Sequence, residues 1–105
     1  MVAEIVWRPL ALRQLQQLAD YIGAENPRAA TAYIDTILTA CERLTDFPRS
    51  GRMFDDAYRL LVVRNHLVVY RDDADQSKVI IITVLDGRRD IAKFLENLEH
   101  HRSDY

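Results

Sequence analysis

Between residues 30 and 44 the chain sets Ala30, Tyr33, Ile34, Ile37, Leu38, Cys41 and Leu44 at i, +3, +4, +7, +8, +11 and +14. Only an α-helix brings that spacing onto one side. Asn26-Pro27 just before it is a start signal, an N-cap side chain followed by a proline in the first turn. A shorter stripe, Leu15, Leu18 and Ile22, follows Pro9, which suits a first helical position because its missing N–H costs nothing there. The spacing predicts one helix over Pro9–Gly23 and a second from Asn26 onward. With a connection of about three residues they must fold back as an antiparallel hairpin. Cys41 lies inside the stripe, so it reads as a small buried hydrophobe.

Asp46 to Arg52 stops the second helix, since Pro48 cannot continue it and Gly51 permits a tight turn. The pattern then changes to short β-branched runs at Leu60–Val63, Leu67–Tyr70 and Val79–Leu85. Their spacers, Arg64 to His66 and Asp72 to Ser77, are too short for crossovers and imply an antiparallel meander. Val2 to Trp7 reads as an additional N-terminal strand, and Asp90 as the cap of a last helix carrying Ile91, Phe94, Leu95 and Leu98. The expectation is a single α+β domain over residues 1–105, ordered β-α-α-β-β-β-α. Its helical hairpin packs on a small antiparallel sheet, and a polar tail from about residue 100 frays.

Leu60 to Val63 and Ile80 to Ile82 are apolar at consecutive positions, so both faces of the sheet want cover. The hairpin covers one face. Either the last helix covers the whole of the other, or an apolar groove beside an open sheet edge is left for a partner.

At 105 residues and 49% apolar the chain needs no metal or disulfide staple, and the sole cysteine forms no internal disulfide. A formal charge of -2 argues against direct nucleic-acid binding. No apolar run approaches the roughly 18 residues of a membrane span, and the first residues lack a secretory apolar core, so the expected location is the cytoplasm. No metal, cofactor or catalytic residue is expected. Motifs such as HExxH, GxSxG, CxxC and a P-loop are missing, and His66 reads as a solvated turn residue rather than a general base. The aspartates at 72, 73 and 75 read as a solvated turn that discourages edge pairing. Twelve of the 14 basic residues are arginine, and several stand at element ends: Arg49, Arg52, Arg59, Arg64, Arg71, Arg88 and Arg89. Gathered on one rim, they make a local positive patch; paired with neighbouring acids, they do not.

A series of short segments then runs along the chain in fixed order. It comprises Trp7-Arg8-Pro9-Leu10-Ala11, Asp20-Tyr21-Ile22, Asn26-Pro27-Arg28-Ala29-Ala30, Phe47-Pro48, Gly51-Arg52, Arg59-Leu60, Val69-Tyr70-Arg71 and Val84 to Asp90. From residue 2 to about 95 this series resembles the ParE branch of the RelE/ParE toxin superfamily.

The resemblance implies a toxin of a type II toxin–antitoxin pair that traps DNA gyrase by binding, in a hetero-oligomer with a cognate ParD-like, ribbon-helix-helix or similar antitoxin. It implies Arg52, Arg59, Arg88 and Arg89 as target-binding candidates, and Arg64, Tyr70, Arg71, Phe94 and Leu98 as antitoxin-binding candidates. The alternatives are a ribosome-dependent messenger endoribonuclease of the RelE kind and an inactive relic that only binds antitoxin. Against the endoribonuclease, Leu61, Leu67 and Ala92 stand where that branch carries a lysine, an arginine and a tyrosine. Two surviving arginines offer charge stabilisation without a group to move the proton. Asp86 also stands where ParE sequences often have histidine.

Overall fold

The structure, a computed structural model, describes residues 2–88 and 90–100, the last three by backbone alone. Arg89, the Leu98 side chain and the tail from 101 onward therefore lie outside the described residues.

The strand β1 (Glu4–Trp7) leads into α1 (Pro9–Gly23) and α2 (Pro27–Glu42). Proline opens both helices, and the Asn26 side chain accepts the Ala29 N–H at 3.1 Å, as the cap signal requires. A single 3₁₀ turn, Arg43–Thr45, ends the hairpin. There follow β2 (Arg52–Met53), β3 (Arg59–Val63), β4 (His66–Asp73), β5 (Lys78–Asp86) and α3 (Ile91–His100). Asp90 caps α3, its carboxylate accepting the Lys93 N–H at 3.1 Å.

The sheet order is β1-β5-β4-β3-β2. The meander β3-β4-β5 is antiparallel as expected, but the sheet as a whole is mixed: β1 runs parallel to β5, pairing Glu4 with Lys78 through Trp7 with Ile81. A parallel neighbour needs a long connection, and the two helices and three strands between β1 and β5 supply it. β2, two residues long, is an element the sequence pattern does not reveal. The aspartate-rich spacer is shorter than expected. β4 runs on through Asp72 and Asp73, which pair with Val79 and Lys78, and only Ala74–Gln76 turn, followed by Ser77 in the left-handed region. Asp72 and Asp73 thus belong to β4, paired with β5 on one side and extending beyond the last β3 pair, Arg59 with Tyr70, on the other.

Both faces are covered, but by different means. Tyr70, Val68, Val79 and Ile81 pack beneath Leu15, Ile37, Cys41 and Leu44 of the hairpin. On the opposite face Leu60, Val69, Ile80, Ile82 and Leu85 pack with Leu95 of α3, joined by Ile91 and Phe94. The Cys41 thiol is buried, and that desolvation pushes its pKa up to about 12, so it behaves as a hydrophobe. Cover by α3 is incomplete, since Val62 of β3 remains 61% exposed.

Tyr70 is wholly buried, and its hydroxyl organises the chain between α2 and β2. It donates to the Pro48 carbonyl at 2.8 Å and accepts the Gly51 N–H at 2.9 Å. A Cβ on Gly51 would sit 2.6 Å from that hydroxyl oxygen and 2.8 Å from the Leu60 carbonyl, so only glycine fits. Gly51→Ala is expected to destabilise the fold by about 1–3 kcal/mol through overpacking. Tyr70→Phe should cost a similar amount by leaving two buried polar groups without their partner. Urea unfolding of the two variants checks both; a midpoint unchanged by either would show that the loop does not depend on this contact.

Candidate functional site

The arginines do not gather on one rim. Arg59 opens β3 and Arg64 follows its end, so they stand at opposite ends of the sheet, roughly 16 Å apart at strand rise. At the first end, Arg59 donates through Nη1 to the carbonyls of Gly51 (2.9 Å) and Arg49 (3.2 Å). Arg49 in turn meets Asp72 at 3.5 Å, and exposed Arg52 lies on β2. At the second end, Arg88 is held by Asp86 through Nε and Nη2, both at 3.2 Å. The four target candidates therefore split: Arg52 and Arg59 lie at one end, Arg88 lies at the other, and Arg89 is outside the described residues.

Of the antitoxin candidates, Tyr70 is corrected to a core residue, because no part of its side chain reaches the surface. Arg71, its neighbour along β4, projects from the opposite face and is exposed. Phe94 is half-buried against the α3-side core. Arg64 occupies the left-handed region with φ 53° in the β3–β4 turn, and its guanidinium lies 6.0 Å from the Tyr33 ring centre.

His66 is not a solvated turn residue. It begins β4, pairs across the sheet with Asp86, and shares a 2.5 Å hydrogen bond between Nδ1 and the Tyr33 hydroxyl. The sequence holds no local signal for this contact, since Tyr33 lies 33 residues before His66 and its spacing marks it only as part of the α2 stripe.

Arg64, Asn65 and His66 form the common wall of two clefts. One, about 470 Å³, lies toward the hairpin and is lined by Leu18, Tyr21, Ile22 and Tyr33 among others. Tyr21 there is 81% exposed. The other, about 680 Å³, lies between the β3–β4 turn and the Asp86–Arg88 turn, with Val62 and Leu67 on its apolar side. Among the described residues no group of histidine, cysteine and carboxylate side chains is placed to hold a metal ion, and no helix is long and apolar enough to cross a membrane.

A strand, a helical hairpin, a five-stranded mixed sheet and a C-terminal helix define the RelE/ParE toxin fold. Solved structures share it: a chain of the chromosomal ParDE system of P. aeruginosa superimposes with a TM-score of 0.70 at 14% identity, covering 81% of this chain and 96% of that one. A free-state mutant of the E. coli toxin RelE gives 0.70 at 12%, covering 95% and 98%. At the sequence level, Toxin RelE2 of Caulobacter vibrioides is 37% identical over 62 residues, 59% of this chain and 70% of that protein. Y4kP of Sinorhizobium fredii is 33% identical over 88 residues, covering 81% and 88%. The family described as the ParE toxin of the type II toxin–antitoxin system parDE matches residues 5–91, and the chain belongs to it.

Asp86 is the carboxylate that lines the second cleft. The Arg88 side chain and then the Arg88 backbone N–H hold its pKa down to about 2. A depressed folded pKa stabilises above the unfolded value, so the pair's contribution is complete above about pH 4 and is lost as pH falls through about 2. Carbon-detected NMR of the Asp86 carboxyl should titrate with a midpoint near that value, and Arg88→Ala should return it toward the ordinary aspartate range. An unchanged midpoint in the variant would remove Arg88 as the cause.

Proposed function

We propose that this toxin acts by binding DNA gyrase rather than by cutting RNA, and that a ParD-like antitoxin neutralises it by docking on the helical hairpin and the α3 face. The match to the ParE family over residues 5–91 carries the reading. The fate of the positions where the endoribonuclease branch keeps its polar groups supports it. Leu67 is buried, Leu61 packs against the hairpin-side core and Ala92 is a bare exposed methyl on α3. None of the three moves a proton or neutralises a phosphate.

The antitoxin reading draws support from neighbours solved with toxin and antitoxin together, such as RelBE2 of Mycobacterium tuberculosis, with a TM-score of 0.58 at 19% identity. An amphipathic segment laid in an apolar groove is the recognition mode that the hairpin-side cleft and half-buried Phe94 suit.

One observation favours a second reading, a ribosome-dependent endoribonuclease: the 37% identity to a relative named RelE2. Purified chain incubated with gyrase and plasmid separates the two, beside a translation extract probed for cut message. Accumulation of linear, gyrase-linked DNA is expected, reduced at least about tenfold by Arg52→Ala, which removes an exposed charge without touching the core. Message cleavage abolished by Arg59→Ala, with gyrase unaffected, overturns the proposal. For the antitoxin surface, Phe94→Asp is expected to weaken calorimetric affinity by about 2 kcal/mol or more; unchanged affinity in a folded variant places that surface elsewhere.

A further inference from the structure

At the end of the sheet where β3 begins, strand pairing sorts the charged side chains by face. Arg52 lies opposite Leu60, which packs into the α3-side core, so Arg52 shares that face. Arg71 lies opposite Ile80, another residue of the same core, and shares it too. By strand spacing and rise their Cα atoms stand about 12 Å apart. Phe54, two residues beyond Arg52 and so on the same face, is 37% exposed, and its N–H donates to the Tyr58 carbonyl at 2.9 Å. Cover by α3 stops short of this corner, where both arginines and Phe54 are exposed. Among the described residues neither arginine meets a carboxylate within ion-pair distance, whereas Arg49 and Arg88 do. The acids of this end are turned elsewhere. Asp55, Asp56 and Asp72 line a cavity of about 180 Å³ with Arg49 and Arg59, and Arg59 pairs with Tyr70 of the hairpin-side core. Asp55 accepts the N–H groups of Ala57 and Tyr58 at 2.8 and 3.0 Å, and Asp73 accepts that of Gln76 at 3.3 Å.

We propose that this corner, formed by Arg52, Phe54 and Arg71, is where the toxin grips its target, and that the target presents an acidic segment of polypeptide carrying an apolar side chain. Carboxylates of that segment meet the two guanidinium groups, and its apolar group lies on Phe54. Two arginines without an internal partner make a local positive site on a chain of net charge -2, and negative charge is what complements it. Arginine and aromatic side chains are also the types that carry most binding energy at protein interfaces. A nucleic-acid strand would draw its phosphates past the neighbouring carboxylates at 55, 56 and 72, which favours a protein. The Asp55 turn fixes the Phe54 backbone before binding, so little freedom is lost on contact. The identity of the target rests on the gyrase reading; the place of the surface does not.

The test measures binding of the full chain to purified gyrase at low and high salt, beside growth arrest when the same chains are induced in bacterial cells. Arg71→Gln and Phe54→Ser are each expected to weaken gyrase binding at least about tenfold and to relieve the arrest. Arg13→Gln, the same charge change at an exposed position of α1, leaves both unchanged. Affinity of the parent chain falls with salt, and falls less steeply in Arg71→Gln. Both arginines are exposed, so Arg52→Gln and Arg71→Gln decide the matter if Phe54→Ser fails to fold. Growth arrest at the parent level in folded Arg52→Gln and Arg71→Gln overturns the proposal whatever the target is. Arrest that these variants lose, although the parent chain does not bind gyrase, removes gyrase as the target and keeps the surface. A translation extract in which the parent cuts message and Arg71→Gln does not would identify a nucleic acid at this corner and overturn the proposal. So would a parent chain that neither binds gyrase nor arrests growth.

Discussion

The fold depends on one strand that cannot touch water. From Val79 to Leu85, seven consecutive residues of β5 are buried, six of them apolar. Each large side chain withdrawn from solvent contributes about 1.5–3 kcal/mol, so the strand stabilises only when both faces and both edges are occupied. The helical hairpin closes one face and α3 the other, β4 takes one edge and β1 takes the first part of the other, from Lys78 to Ile81. Where β1 departs, after Trp7 pairs with Ile81, the side chain of Gln14 on α1 takes over. Its carbonyl accepts the Val84 N–H at 2.9 Å and the hydroxyl of fully buried Thr83 at 2.7 Å. One glutamine thus satisfies a backbone donor that would otherwise be buried without a partner.

That arrangement also sets which parts of the surface are left open. The hairpin covers one face of the sheet and α3 most of the other, with Val62 of β3 left exposed. At one end the buried Tyr70 hydroxyl and Arg59 hold the segment from Pro48 to Gly51, which carries Arg49 and leads into Arg52 on β2. At the other the β3–β4 turn stands between two clefts of different character, one mostly apolar against the helices, one with an arginine rim. The two clefts share Arg64, Asn65 and His66 as a common wall.

Much of this was legible in the residue order. The α2 stripe, the caps at Asn26 and Asp90, the stop at Pro48 and the three β-branched runs are local signals, each decided by atoms a few residues apart. The consecutive apolar positions at Leu60–Val63 and Ile80–Ile82 correctly announced a two-faced demand for cover. The parallel pairing of β1, the short β2, the Tyr33–His66 contact and the burial of Tyr70 carried no such signal. A tyrosine reads alike whether its ring faces a partner or a core, and the hydroxyl that settles the matter finds its acceptor 22 residues away.

The sequence by itself determined the three helices and the four longer strands in their order, though not β2 or the full length of β4, and it pointed to the family through an ordered series of short segments. Helical spacing, caps and turns act over a few residues and need no knowledge of the rest of the chain. Only the tertiary structure decided where the arginines stand relative to one another. Arg59 and Arg64 are near neighbours in sequence, yet an extended strand puts them at opposite ends of the sheet. Asp86 and His66, twenty residues apart, meet across one ladder. Binding sites depend on such distances, and strand pairing sets them.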